Sequence, residues 1–433
     1  MKKKIIISLV VLVVLVLAYI LIMYNPFSNN DTSTVTPSNI PVFSASKDDI
    51  IGIDVNMNGE FYSLVKNNGV WSFFEEEGVY AIQPKVDGIA YDLSNLYATS
   101  LVAENVSDFK MYGLEPAYST VVVHLADGTI NTFLVGNKVP DGNGYYFKSD
   151  VGNNVYVIDN GKAMVLTYTR RDLISMTMQE LYKGDIDEIT VTRNNGKSFT
   201  VKQNLESKTE DWIIKEPFLW DADDDVIQSK LLNFIVGIFA LEYEENKTDS
   251  EMGLTNPRIT VSVLKTDGTK QNFYVGKTDE NIAYVRVDGV KYAGKVDGEI
   301  VKLYNVEPFD IMNKLVQSAD YHAITNVVLD GDLDINLKYA GKNSMLNGKS
   351  LSEEMAIRLY SAICNLKVDA EAKNQVSGKT VLSAEFDYGT FSYEYKLIEY
   401  DARNYALTHD GKKYFLVRKD NYDAWKMALE ILM

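Results

Sequence analysis

Cysteine is almost absent from this chain of 433 residues. Cys364 is the single cysteine, so neither an internal disulfide nor a zinc site built from several cysteines can form. Cys364 stands between Ile363 and Leu366 in a helical pattern of apolar residues. This setting favours a small buried side chain over a reactive thiol.

Histidine and the motifs of common enzymes are equally scarce. The three histidines, His124, His322 and His409, lie far apart, and no His-Glu-x-x-His, Gly-x-Ser-x-Gly or Walker-type glycine loop occurs. His124 stands beside Val123 and Leu125 in a predicted strand, where a surface-facing side chain is the simplest interpretation. The sequence therefore predicts no catalytic, cofactor-binding or metal-binding residue.

The sequence also lacks a basic patch. Its formal net charge is −17 and its pI is about 4.8. Binding to a nucleic-acid backbone needs clustered Lys and Arg, so nucleic acid is excluded as a partner. Apolar residues make up 46% and charged residues 24%, which is ordinary globular composition, and most of the chain should fold.

Acidic residues are abundant, and one cluster precedes a predicted helix. This cluster consists of Asp221, Asp223, Asp224 and Asp225. Carboxylates at such a position cap the free amides of the first helical turn and interact favourably with the helix dipole. Helix capping is therefore the preferred interpretation. A carboxylate pair for glycoside hydrolysis is not identifiable from sequence among 60 acidic residues.

A second acidic cluster has the alternate spacing of a calcium loop. It consists of Asp330, Asp332 and Asp334. Ile335 occupies the position where an EF-hand needs glycine, and Gly341 the position where it needs glutamate. We therefore expect a polar hairpin turn between the flanking apolar residues Val328 and Leu337.

An uncharged apolar run extends from Ile5 to Tyr24 and matches the roughly 20 residues that cross a bilayer. Lys2 to Lys4 precede it, and the next basic residue is Lys47. The positive-inside rule then places residues 1–4 in the cytoplasm and the bulk of the chain outside. Residues 25–47, rich in Ser, Thr, Asn and Pro, are predicted to form a flexible linker.

A cleaved signal peptide is the alternative for this run. Such a peptide has a shorter apolar core of about 7 to 15 residues, followed by small residues at the cleavage site. Here the run continues into Tyr24, Asn25, Pro26 and Phe27, and no lipoprotein cysteine follows. We therefore predict an uncleaved anchor over residues 5–24.

Two segments of the chain contain the same landmarks in the same order, which indicates an internal repeat. The landmarks of the first copy are Trp71, Tyr112, Gly113, Leu114, Pro116 and Gly136. Those of the second copy are Trp212, Gly253, Leu254, Pro257 and Gly276. Each landmark alone is a weak signal, and their shared spacing carries the inference.

A third, degenerate copy follows Asp320. Its predicted helix repeats an apolar stripe of the second copy, with Met355, Leu359, Ala362 and Leu366 matching Ile227, Leu231, Phe234 and Ile238. A turn at Asp387 to Gly389 and a strand at Tyr414 to Val417 are retained, but the Gly-Leu-x-Pro stretch is missing.

These patterns predict an α+β fold, in which an N-terminal transmembrane helix precedes tandem repeats of an antiparallel-sheet-plus-helix unit. Apolar residues alternate in predicted strands, as at Ile259, Val261 and Val263 and at Ile51, Ile53, Val55 and Met57. The predicted units span residues 48–168, 169–318 and 319–433. Two connecting helices are expected, over Arg170 to Leu181 and Pro308 to Leu315.

The tryptophan, the helix, the stretch Tyr112 to Pro116 and the segment Phe133 to Gly136 together resemble the bacterial family called domain of unknown function 4340. The resemblance extends over roughly residues 50 to 310. In the second copy Met252 replaces the tyrosine, and Asn256 is an additional residue before the proline.

This resemblance implies an N-terminal membrane segment followed by repeated domains. It also implies a role beside ABC transporters of the gliding-motility type, near which such proteins are often encoded. It supplies no catalytic residues. Transporter subunits or other membrane proteins are therefore the expected partners, together with the membrane itself.

Aromatic clusters at Tyr145 to Phe147 and at Tyr388 to Tyr400 fit half-exposed strands, and they also fit stacking surfaces for glycans or a protein partner. Our first hypothesis is a membrane-tethered extracytoplasmic binding or scaffold protein. The alternatives are an extracytoplasmic hydrolase of cell-wall polymers that uses an unidentified carboxylate pair, and a glycan-binding surface protein.

Overall fold

The computed structural model describes residues 39–204, 211–317, 321, 323–389, 392–408 and 414–433. The predicted cytoplasmic tip and anchor, most of the linker, and both His322 and His409 lie outside these residues. Among the described helices, none combines the length and the apolar character needed to cross a bilayer.

Two compact units make up the described chain. The first contains the residues up to Phe74 together with Ala81–Ile174, and the second contains Glu75–Tyr80 and Ser175–Met433. Both are built mainly from antiparallel strands with a few helices, so the predicted α+β class is confirmed.

The first unit contains one large sheet and one two-stranded ribbon. Its strands are β1 (Ile40–Ser44), β2 (Ile50–Met57), β3 (Glu60–Asn67), β4 (Val70–Phe73), β5 (Asn95–Ala98), β6 (Ser100–Ala103), β7 (Ser119–Leu125), β8 (Ile130–Lys138), β9 (Gly144–Ser149) and β10 (Val155–Asp159). Its helices are α1 (Gln83–Ser94), α2 (Asn160–Val165) and α3 (Arg170–Leu173). The sheet order is β4-β3-β2-β7-β8-β9-β10-β6, and β1 pairs with β5.

The second unit begins with a sheet of similar design. Its strands are β11 (Thr177–Glu180), β12 (Ile186–Arg193), β13 (Ser198–Gln203), β14 (Trp212–Glu216), β15 (Trp220–Asp221), β16 (Gly237–Phe239), β17 (Glu242–Glu244), β18 (Ile259–Lys265), β19 (Lys270–Asp279), β20 (Ile282–Val287) and β21 (Ala293–Asp297). Its helices are α4 (Asp224–Ile227), α5 (Asn233–Ile235) and α6 (Pro308–Ile311), with a π-helical turn over Gln228–Leu232. The sheet order is β15-β14-β13-β12-β18-β19-β20-β21-β17, and β11 pairs with β16.

A further sheet completes the second unit. Its strands are β22 (Asn326–Gly331), β23 (Ile335–Lys338), β24 (Met345–Leu346), β25 (Lys349–Ser350), β26 (Ala370–Glu371), β27 (Thr380–Asp387), β28 (Ser392–Glu399), β29 (Asn404–Thr408) and β30 (Tyr414–Arg418). Helices α7 (Glu353–Cys364) and α8 (Lys419–Leu432) accompany it. The sheet order is β25-β24-β23-β22-β27-β28-β29-β30-β26.

The three large sheets share one strand order. In each, an inner strand (β2, β12 or β22) pairs on one side with the next strand in sequence and on the other side with the first strand of a later meander (β7, β18 or β27). Each sheet ends on a short strand that comes after a helical segment in the chain, with no strand between them for β26 and with one intervening strand for β6 and β17. The boundaries of the three predicted repeats stay a prediction.

Burial follows the alternation of apolar residues where strand pairing is regular. Ile259, Val261 and Val263 of β18 are fully buried, as predicted. In β2, Ile53 and Val55 are buried, but Ile51 is 42% exposed. The pairing of β2 with β7 shifts register between Ile50 and Gly52, and such a bulge turns the next side chain to the other face. The prediction for Ile51 was therefore wrong.

The two connecting helices are shorter than predicted. Residues Arg170–Leu173 are helical, but the chain then becomes extended at Ile174 and enters strand β11. The second helix ends at Ile311 because Met312 is extended and bridges to Ala222. Pairing with distant strands overrides local helix propensity at both sites.

The apolar stripes of the later copies are confirmed only in part. Helix α7 buries Ala356, Leu359, Tyr360 and Ile363, whereas the predicted Met355 and Ala362 are half-buried. In the second copy Ile227 and Leu231 are buried in helical turns, but Ile238 belongs to strand β16. The helix ends earlier there because Gly237 and Glu180 pair across the β11–β16 ribbon.

Candidate functional site

The two landmark tryptophans are core residues. Trp71 and Trp212 are fully buried. The Trp71 main-chain N–H donates a hydrogen bond to Gln83 Oε1 (2.8 Å), and its indole Nε1 donates to Asp87 Oδ1 (3.2 Å). These bonds connect strand β4 to helix α1, so Trp71 positions the helix on its sheet.

The Tyr-Gly-Leu-x-Pro stretch forms a turn that lies against β8. Gly113 has φ +67°, a conformation that glycine adopts without strain, and Leu114 is buried. A Cβ atom added to Gly136 would lie 2.3 Å from the Tyr112 carbonyl oxygen. Pro116 follows a cis peptide bond and is exposed. The stretch therefore has a packing role.

The second copy repeats this arrangement. Gly253 has φ +70°, and a Cβ atom on Gly276 would lie 2.2 Å from the Met252 carbonyl oxygen. Leu254 is buried and Pro257 is half-buried. The landmark residues of both copies thus shape turns and cores.

A polar cluster lies on the first sheet. His124 Nε2 is 2.7 Å from Asp54 Oδ2, and Ser63 Oγ donates a hydrogen bond to the other oxygen of the same carboxylate. The carboxylate lies between the serine and the histidine, so the imidazole is not placed to take the Ser63 proton as a general base would. His124 is partly exposed, with 35% of its side chain accessible.

The predicted helix cap is confirmed at one aspartate. Asp223 precedes α4, and its Oδ1 accepts a hydrogen bond from the Val226 main-chain N–H (3.1 Å). Asp224 Oδ2 accepts from the Asp211 N–H (2.9 Å), and burial raises the pKa of Asp224.

The calcium-like spacing of Asp330, Asp332 and Asp334 falls in the predicted hairpin. Strands β22 and β23 pair from Asn326 with Lys338 to Leu329 with Ile335, and Asp332 and Asp334 lie in the connecting turn. Within the described ranges, no group of three or more His, Cys, Asp or Glu residues is arranged to hold a metal ion.

A cleft opens at one end of the third sheet, and we call it the Lys419 cleft. Its larger lobe has a volume of about 650 Å³ and is lined by Arg403, Asn404, Arg418, Lys419 and Asp420. Its smaller lobe has a volume of about 300 Å³ and is lined by Gln375, Ser377, Gly378, Glu399, Tyr400, Asp401 and Lys419. Lys419 belongs to both lobes, so they adjoin.

Strand pairing brings the residues of the larger lobe together. Asn404 at the start of β29 pairs with Arg418 at the end of β30. The Lys419 main-chain N–H then donates to the Arg403 carbonyl oxygen (2.8 Å). The turn between β28 and β29 and the start of α8 therefore form adjacent walls of the cleft.

Hydrogen bonds fix the turn that separates the two lobes. Asp401 Oδ1 accepts from the main-chain N–H groups of Arg403 (2.7 Å) and Asn404 (2.8 Å), and the Asn404 side-chain amide donates to the same carboxylate. Bonding from the Asn404 side chain and from these N–H groups lowers the pKa of Asp401. Asp401 is therefore ionised at neutral pH and shapes the cleft.

A hydrogen bond and a close backbone contact also fix the outer wall of the smaller lobe. The Asn374 main-chain N–H donates to the Tyr400 hydroxyl (3.1 Å). A Cβ atom on Gly378 would lie 1.9 Å from the Glu399 carbonyl oxygen, so only glycine permits this close approach. The loop before β27 is thus held against the end of β28.

The charged side chains of the larger lobe are partly ordered by contacts. Arg418 Nε donates to Asp420 Oδ1 (3.0 Å) in a two-point ion pair that raises the pKa of Arg418. Lys419 Nζ lies 4.9 Å from the centre of the Tyr405 ring, within cation–π range. In the part of the chain that the structure describes, the Arg403 guanidinium makes no ion pair.

The geometry thus describes a sheet-rich α+β protein with a charged cleft, and one comparison with known proteins gives a match that covers parts of its first two sheets. Residues 71–249 match the family described as Domain of unknown function (DUF4340), and the resemblance expected from the sequence is confirmed over that range. The match ends before the third sheet and its cleft. Searches of curated proteins and of solved structures found no match.

Proposed function

We propose that this chain is a membrane-tethered extracytoplasmic binding or scaffold protein, and an accessory component of an ABC transporter system. The apolar run over residues 5–24 would form the anchor, with Lys2 to Lys4 on the cytoplasmic side. The predicted linker contributes strand β1 to the first unit, so the part of it that precedes β1 would hold the sheets away from the bilayer.

The shared strand order of the three sheets supports tandem units over residues 48–168, 169–318 and 319–433. Proteins built from repeated units commonly use them to bind partners. The match over residues 71–249 supports the resemblance to the family, and it is this resemblance that implies a transporter complex as the partner.

The observation that carries the binding role is the Lys419 cleft. Ligand pockets typically enclose about 300 to 1,000 Å³ and place a few polar groups at fixed positions. The larger lobe is of this size, and the hydrogen bonds of Asp401 fix the turn that forms one wall. A preformed wall reduces the entropy that a ligand loses on binding.

The hydrolase alternative has one supporting observation. Two carboxylates, Glu399 and Asp401, line the smaller lobe. The lowered pKa of Asp401 leaves Glu399 as the residue that would have to donate a proton. Release of soluble fragments from cell-wall material by the wild type, lost in Glu399→Gln, would favour hydrolysis over binding.

Thiol labelling in cells tests whether the cleft is occupied. Ser377 is an exposed residue of the smaller lobe, and Ser107 is an exposed loop residue of the first unit. Cys364 should give little background because it is partly buried and burial raises the pKa of its thiol to about 12. We expect Ser377→Cys to react more slowly in cells than after purification, while Ser107→Cys reacts equally in both. Equal rates for Ser377→Cys would contradict a ligand in the cleft.

Co-purification tests the transporter association. Gently solubilised membranes should yield the tagged protein together with ATP-binding-cassette subunits in a fixed ratio. Recovery of the protein alone under conditions that preserve a known transporter complex would count against the association.

A further inference from the structure

The larger lobe of the Lys419 cleft has a charge opposite to that of the whole chain. Its lining contains three cations, Arg403, Arg418 and Lys419, and one carboxylate, Asp420. The chain as a whole carries a net charge of −17. A local excess of cations in an acidic protein focuses a positive potential at one place.

The cations of this lobe differ in how far they are already neutralised. The two-point pair with Asp420 compensates Arg418 and holds its guanidinium in place. Asp369 further fixes this residue by accepting a hydrogen bond from the Arg418 main-chain N–H (2.8 Å). Neither Arg403 nor Lys419 makes an ion pair among the described residues, although the charge of Lys419 helps to lower the pKa of Asp401. Their donors therefore remain available to a ligand.

The donor chemistry is specific for oxyanions. A guanidinium presents a planar fork that matches two oxygens of a phosphate or carboxylate, and an ammonium adds a mobile point charge. The Tyr405 ring lies beneath the Lys419 ammonium and restricts the positions that it samples. The volume of about 650 Å³ exceeds that of a single oxyanion, so the ligand would be larger.

We propose that the larger lobe binds an oxyanionic group, phosphate or carboxylate, of a surface polymer, with Arg403 and Lys419 as its principal contacts. This inference rests on the proposed binding function and adds the chemical class of the ligand.

Calorimetric titration of the full-length protein in a neutral detergent tests the inference. The probes are a short poly(glycerol phosphate), a short polyglutamate and a neutral dextran. Because the rest of the chain repels polyanions, binding should report on the cleft. We expect one of the two polyanions to bind, with an affinity that falls as salt is added, and no binding of dextran.

Charge-matched variants locate the site. Arg403→Gln and Lys419→Gln should each weaken binding about tenfold, the effect of losing one charge-assisted hydrogen bond. Lys349→Gln removes the same charge from an exposed position of β25 and should change binding less than about twofold. Thermal melting of all three variants verifies that they fold. If Lys419→Gln does not fold, the comparison of Arg403→Gln with Lys349→Gln still tests the site.

Two outcomes overturn the inference. The first is that neither polyanion binds, and the second is that the three variants weaken binding equally. If neither polyanion binds but the Ser377→Cys thiol is protected in cells, the ligand is not an oxyanion and the binding function stands. If that thiol is also unprotected, the binding function fails as well.

Discussion

Replacing Gly136 by alanine tests how the turn at Tyr112 to Pro116 packs on β8. The added Cβ atom would lie 2.3 Å from the Tyr112 carbonyl oxygen and 3.0 Å from Leu114 Cγ. The backbone of the turn would have to move by roughly 1 Å to reach ordinary contact distance. Forced rearrangements of this kind cost about 1 to 3 kcal/mol.

The first unit supplies a control with the opposite sign. Gly88 lies in helix α1, is exposed, and has no atom within 4 Å of the position of an added Cβ. Gly88→Ala should stabilise the unit by about 0.5 to 1 kcal/mol, because alanine favours the helix. The two substitutions are chemically identical and differ only in their surroundings.

Differential scanning calorimetry of the full-length protein measures both effects. At about 2 to 4 °C per kcal/mol for a unit of this size, Gly136→Ala should lower the melting temperature of the first unit by about 2 to 12 °C. Gly88→Ala should raise it slightly. A Gly136→Ala protein that melts at or above the wild-type temperature would refute the packing argument.

Three further predictions concern the second unit. Burial lowers the pKa of Lys314 to about 8, so the unfolded chain binds more protons than the folded chain above that pH. The free energy of unfolding should therefore rise between pH 8 and about 10.4. Lys314→Met should remove about 1 kcal/mol of this rise, because solvent screens the charge of this half-buried side chain and reduces its full effect. Arg193→Lys should cost about 2 to 4 kcal/mol, because a buried guanidinium that donates to main-chain oxygens and to Glu307 is lost. Asp223→Ala should cost about 1 kcal/mol through loss of the helix cap, whereas Asp225→Ala should stay within about 0.5 kcal/mol.

Urea denaturation at fixed and varied pH measures these effects. A wild-type stability that falls from pH 8 to pH 10, parallel to Lys314→Met, would contradict the account of Lys314. If Arg193→Lys leaves the free energy of unfolding unchanged, the hydrogen bonds from Arg193 to main-chain carbonyl oxygens do not contribute to stability. Equal losses in Asp223→Ala and Asp225→Ala would indicate an effect of charge on the helix dipole and not of a specific cap.

Local patterns predicted much of the fold. The alternation in β18, the hairpin between β22 and β23 and the cap at Asp223 each depend on neighbouring residues, and each is confirmed. The α+β class followed from runs of such strands. Ile51 and the connecting helices could not be placed correctly, because a bulge and distant strand pairing decide them.

The Lys419 cleft could not be predicted from sequence. Its residues extend from Gln375 to Asp420, and pairing of β29 with β30 and the approach of Gly378 to Glu399 bring them together. None belongs to a recognised motif. The turn signal around Asp401 and the adjacent cations Arg418 and Lys419 were visible, but nothing in the sequence indicated that they meet.

The central claim is that the chain is an extracytoplasmic binding protein held by its N-terminal anchor. Labelling from one side of the membrane tests this claim most directly. A membrane-impermeant maleimide added to intact cells should label Ser107→Cys as completely as it does in disrupted cells, and the labelled chain should remain in the membrane fraction. Labelling that appears only after the cells are broken would place the sheets in the cytoplasm and contradict the account.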